Sequence, residues 1–206
     1  MELAHYGRSV FINCPFDAQY APLFRACLFA VHDCGFVART ALESADSSEV
    51  RIQKIYATIG GCRLGIHDLS RTQVDIASGL PRFNMPLELG IFLGSKFLGD
   101  EVQRQKACLV FDEVPYRYQM YMSDVAGQDI VSHGNDARLL VIAVRDWLAS
   151  LSDGHLPSGS AIWDNYLTFQ SELLRECGGL RQDPDKLTYA DLKRHLDAYQ
   201  RDKLET

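Results

Sequence analysis

Arg63-Leu64-Gly65-Ile66-His67-Asp68, followed after a loop by Asn84-Met85-Pro86-Leu87-Glu88-Leu89-Gly90, is the stretch on which the fold turns. The first segment is an apolar run of strand length that closes on an acid. The second opens a helix. An Asn can accept a hydrogen bond from an unsatisfied backbone N–H at a helix start, and Pro86 is tolerated only in a first turn. Glu88 then falls in or just after that turn, where the positive end of the macrodipole favours its ionised form.

Working outward, the same alternation recurs. Ser9–Asn13 reads as a short buried strand closed by Cys14-Pro15. From about Ala18 to Cys34, Leu23, Cys27, Ala30, Val31 and Cys34 recur at helical spacing, with Gly35 as the stop. Residues 36–42 form a second strand and Val50–Ile59 a helix ended by Gly60-Gly61. The helix carrying Glu88 runs to about Phe97, and Lys106–Asp112 is a fourth strand. Strands alternating with helices imply crossovers and a parallel sheet. Ligands of open parallel sheets bind beyond the carboxyl ends of the strands. Asn13, Arg39, Glu43, Asp68 and Asp112 fall at such ends, and Glu88 starts the helix after the third strand.

Residues 113–135 carry no clear period. Asp124, Asp129 and His133 match no familiar metal spacing, which makes this segment a solvated loop. Ala137–Leu148 is an amphipathic helix, and the core is expected to close by about residue 150. Ser152–Gly159 is a polar linker. Beyond it, one stripe of Ile162, Tyr166, Phe169 and Leu173 and another of Leu187, Leu192, Leu196 and Tyr199 mark two helices. They either pack over the core or form a docking surface between subunits. The division is therefore an α/β domain over residues 1–151 and a helical C-terminal extension over 152–206.

Composition bounds the function. With 206 residues, 47% hydrophobic and 23% charged, the chain is of ordinary globular make-up. Its net charge of −6 argues against a broad nucleic-acid-binding face, which needs clustered Lys and Arg. No apolar run approaches the roughly 20 residues of a bilayer span, and the first residues lack the order of a signal peptide. A cytoplasmic protein is expected. The six cysteines show no pairing or zinc spacing. Cys14, near a strand end, reads as buried filler rather than a nucleophile.

Phe11-Ile12-Asn13-Cys14-Pro15-Phe16 at the first strand, Asp68 closing the third, and Asn84-x-x-x-Glu88-Leu89-Gly90 resemble the nucleoside 2-deoxyribosyltransferase-like proteins, close in fold to TIR domains, over roughly residues 8–115. The resemblance implies a flavodoxin-like sheet, a catalytic Glu at the Glu88 position, N-glycosidic substrates such as nucleosides or NAD, and assembly into homo-oligomers.

Breaking a ribosyl–base bond passes through an oxocarbenium-like state that a nearby carboxylate stabilises. By resemblance that carboxylate is Glu88. Asp68 would bind sugar hydroxyls or assist the leaving base; as a bare strand-end acid it would instead bond loop amides. His67 points opposite to Asp68 along its strand and reads as a packing residue. Asn13 approaches the substrate, Phe16 or Phe83 stacks on a base, Asn84 at the helix start is a further substrate-binding candidate, and Arg39 and Arg82 are candidates for phosphate. No metal or cofactor is called for; NAD enters as candidate substrate.

Three functions follow. The first is an N-glycosidase that hydrolyses the nicotinamide–ribose bond of NAD or a related nucleotide, as a defence or signalling effector. The second is a nucleoside or nucleotide 2-deoxyribosyltransferase or hydrolase. The third is a non-catalytic nucleotide-binding adaptor. No nucleic-acid or membrane partner is expected.

Overall fold

The computed structural model describes residues 3–74, 79–125 and 127–205. The loop expected between Asp68 and Pro81 lies partly outside them.

Five strands form one sheet in the order β2-β1-β3-β4-β5, every pairing parallel. They are β1 (Ser9–Asn13), β2 (Val37–Arg39), β3 (Leu64–Asp68), β4 (Ala107–Asp112) and β5 (Ile130–Ser132). The order is the flavodoxin-like one. All residues of β1 and β3 are buried, which is why these segments read as continuous apolar runs without alternation.

The helices are α1 (Leu3–Arg8), α2 (Ala21–Asp33), α3 (Arg51–Gly60), α4 (Asn84–Leu98), α5 (Ala137–Ser150), α6 (Gly159–Leu180) and α7 (Tyr189–Glu205). Alternate strand residues feed two layers. Val10, Ile12, Leu64, Ile66 and Phe111 join a core with α2 and α5, whereas Phe11 packs with Ile55 and Ile59 of α3 and Phe92 of α4. Gly35 ends α2 with φ of +79°. Its N–H donates to His32 O and that of Phe36 to Val31 O, the paired closure that favours glycine there.

Register brings the carboxyl ends into line. Asn13 sits opposite His67, Asp68 opposite Phe111, and Asp112 opposite Ser132. The helix starts that follow β2 and β3 therefore face the same edge.

Four expectations are corrected. Residues 130–132, read as solvated loop, form the edge strand β5, too short to show a period. The second strand is three residues long, because Glu43 turns the chain back by accepting from Thr40 N at 3.1 Å. Asn84 does not cap α4; Phe83 occupies the cap position and no side chain bonds there. The core does not close by residue 150. Ile162, Tyr166, Phe169 and Leu173 of α6 and Leu192 and Leu196 of α7 are buried in the same cluster as α2 and α5. Phe169 lies 5.3 Å from the Phe29 ring and 5.4 Å from Tyr199. The buried Asp33 carboxylate accepts from Asn165 Nδ2 at 2.9 Å, Gln200 Nε2 at 3.2 Å and Lys203 Nζ at 2.6 Å. The C-terminal stripe thus packs over the core of its own chain. Among the described residues no helix is long and apolar enough to cross a membrane.

Candidate functional site

Glu88, in the second turn of α4, lines a cleft of about 330 Å³ at the carboxyl edge of the sheet. The residue is 7% exposed and its side chain makes no hydrogen bond or ion pair with a described residue. Burial pushes its carboxyl up from 4.5 to about 7, and the nearby Arg51 guanidinium offsets only part of that. This corrects the expectation of an acid held ionised by the helix end. A nearly buried acid without hydrogen bonds is costly. Facing a cleft with its acidity tuned towards neutrality, it is also what acid–base or charge-stabilising chemistry uses.

The walls come from several elements. Asn13 ends β1, and its Nδ2 donates to Met85 O at 2.8 Å while lying 3.1 Å from His67 Nδ1. It fixes the first turn of α4 to the sheet and so positions Glu88. His67 lies under the cleft with its ring 5.0 Å from Phe92 and 5.9 Å from Phe11. Burial, with Lys106 adding, pushes its pKa down to about 3, so it stays neutral. With Nδ1 accepting from Asn13, the proton sits on Nε2, which finds no partner. Packing is its role, as its strand parity implied.

Phe16 borders the cleft and is 40% exposed; Asn84 and Arg82 also line it. Arg82 lies 3.7 Å from Asp17, whose carboxylate is also 3.9 Å from Arg71. Cys14 reaches the wall, yet burial and the neighbouring Cys27, Asp68 and Glu88 raise its thiol far above the reactive range. Arg51, the first residue of α3, and Asp17 complete the lining. Sequence reading missed both. The rule that found Glu88, a helix start following a strand, would also have found Arg51.

Other candidates lie elsewhere. Asp68 is fully buried and does not line this cleft. It accepts from Tyr20 Oη at 2.6 Å and from Ser70 N at 2.8 Å. His133 Nε2 is 3.0 Å away, close enough for a charge pair but not aligned as a hydrogen bond. Burial opposes ionisation of Asp68, but these contacts outweigh it and hold the carboxyl below its ordinary value. Its ties run to α2 and to the loop amide, on the face opposite His67. Arg39 is bound to the Glu43 carboxylate, both oxygens 2.8 Å from its Nε, outside the lining. Phe83 is 67% exposed and also outside it. Asp112 is occupied by Glu113 N at 2.7 Å and by Arg117 and Tyr121. Among the described residues no cluster of His, Cys, Asp and Glu is placed to hold a metal ion.

The cleft thus brings together Asn13, Phe16, Arg82, Asn84 and Glu88 and excludes Arg39, Asp68 and Phe83. Compared with protein-family models, with curated proteins and with solved structures, the chain finds no match.

Proposed function

We propose that the protein is an N-glycosidase that hydrolyses the nicotinamide–ribose bond of NAD or a related nucleotide. The observation that carries this reading is Glu88, an acid buried without a partner among the described residues at the edge of a cleft bordered by an aromatic ring and two arginines. In the reaction the C–N bond breaks with its electron pair leaving on nicotinamide, which departs neutral because its ring was already cationic. Water adds to the anomeric carbon and releases one proton. Ionised Glu88 stabilises the positive charge developing on the ribose and can accept that proton. Arg51 and Arg82 suit the phosphates, and Phe16 suits a flat ring. Asn13 and Asp68 act as positioning residues, the first through the backbone of α4 and the second through Tyr20, the residue that precedes α2.

Nicotinamide release from NAD, followed by chromatography with wild-type and Glu88→Gln protein, tests this. The expected result is a loss of about 10²-fold or more in the variant, the scale of a general acid–base contribution. Equal rates from both proteins would remove Glu88 from the mechanism.

A second reading rests on the same acid. A carboxyl near 7 is half protonated at neutral pH and can donate to the base of a nucleoside, as a deoxyribosyltransferase or nucleoside hydrolase requires. Base exchange between a deoxynucleoside and a free base separates it from NAD hydrolysis.

Self-association is part of the proposal. With the C-terminal stripe buried, its support is the outer face of α4, where Leu87, Phe97 and Leu98 are exposed and a Cβ at Gly90 or Gly94 would meet nothing within 4 Å. Light scattering of the full chain tests it, and a monomer at every concentration would refute it.

A further inference from the structure

Phe16 is a wall between two cavities. On one side lies the Glu88 cleft. On the other, a cavity of about 220 Å³ opens between the loop after β1 and the start of α7. Pro15, Phe16 and Asp17 border both.

Three aromatic rings from three separate elements meet in the second cavity. Phe16 stands edge-on to Phe24 of α2 at 5.3 Å and 85°. Tyr189, the first residue of α7, lies 6.5 Å from Phe24, tilted by 34°. Leu187 and Leu192 add apolar surface, and Arg25 and Thr188 bring polar groups to the lining. This placement is built into the fold. Arg181 closes α6 in the left-handed region at φ +56°. The chain then doubles back, so that Pro184 O accepts from the Arg25 guanidinium and the Tyr189 hydroxyl donates to Ala38 O at 3.3 Å. The C-terminal helices thereby complete a ring-lined cavity that α2 and the sheet alone do not form.

Magnitude decides what such a pair can take. Small-molecule sites run to roughly 300–1,000 Å³. The second cavity alone is below that range and the Glu88 cleft just enters it. Lying on either side of Phe16, the two together suit a ligand with two flat ring systems on one linker. Aromatic faces bind heteroaromatic bases with little sequence preference.

We propose that the second cavity holds the second base of a dinucleotide whose scissile glycosidic bond lies at Glu88. The placement of the first base rests on the N-glycosidase reading; the second cavity does not. The ligand class is therefore a dinucleotide rather than a nucleoside or mononucleotide, and the C-terminal extension supplies the discrimination.

Calorimetric titration of the full chain carrying Glu88→Gln, chosen to slow any turnover, tests this with NAD, nicotinamide mononucleotide and AMP. NAD is expected to bind about tenfold or more tightly than nicotinamide mononucleotide, the scale of one stacked base, and AMP to compete with NAD. Ala18→Trp, at an exposed position bordering only the second cavity, should collapse that ratio towards one and abolish AMP competition. Asp185→Trp, from the opposite wall at a side chain 90% exposed, should do the same. A ratio near one before any substitution, a ratio that survives both, or no binding of any of the three ligands would overturn the proposal. If the ratio and its collapse are seen but wild-type protein releases no nicotinamide, the hydrolytic reading of Glu88 fails and the dinucleotide site stands.

Discussion

Replacing Glu88 by Gln should stabilise the protein by an amount that grows with pH. The carboxyl rises from 4.5 to about 7 on folding because burial penalises its charged form. Between those values the folded chain keeps a proton that the unfolded chain has released. Stability is therefore full below 4.5 and is lost as pH climbs through about 7. Each pH unit in that gap is worth about 1.4 kcal/mol, which sets an upper bound of about 3.5 kcal/mol. The cleft is open to solvent, which screens the carboxylate, so about 2 kcal/mol is the expected size. Gln carries no titrating proton. Urea unfolding of both proteins at pH 5, 6, 7 and 8 should show the variant gaining about 2 kcal/mol on the wild type across the series, whatever the difference at pH 5. A difference that stays flat would mean that the folded carboxyl titrates like a free one and that burial does not set its acidity. The variant is the one expected to lose turnover, so the cost of burying Glu88 would be a stability given up for activity.

The pH dependence of turnover separates the two chemical readings. Hydrolysis of NAD needs ionised Glu88 and should rise with pH to a plateau above about 7, whereas proton donation to a nucleoside base should fall through the same range. Gly65→Ala should destabilise the chain by about 1–3 kcal/mol in urea unfolding, since a Cβ there would meet Phe92 at 2.7 Å and His67 at 2.8 Å. Phe169→Ala, which empties a site between Phe29 and Tyr199, should cost about 3–5 kcal/mol in one cooperative transition. A separate early transition for α6 and α7 would show that they do not share the core.

Legibility followed burial. The segments of β1, β3 and β4 announced themselves because strands buried on both faces are continuous apolar runs. Ile130–Ser132 did not, since three half-buried residues at an edge show no pattern. Glu88 was found from its place at a helix start, but its acidity was not, because that is set by burial among elements distant in sequence. Asp68 and Glu88 looked alike as acids at one sheet edge. Only the third dimension sends one to Tyr20 and His133 and the other to the cleft. The same holds for the arginines. Arg39 is taken by Glu43, four residues on, while Arg82 remains at the cleft beside Asp17.

The sharing of one core between the sheet and α6 and α7 also dictates when the chain can fold during synthesis. The face of α2 that carries Phe29 is covered only after Phe169 and Tyr199 have been made. At roughly 5–20 residues per second, translation from Leu151 to Leu196 takes about 2–9 s. Through that interval the strands that have left the ribosome carry an uncovered apolar flank, a surface on which chaperones or neighbouring nascent chains can act. Codon choice and ribosome pausing downstream of Leu151 should therefore affect soluble yield more than pausing within the sheet, because they set how long that flank stays bare.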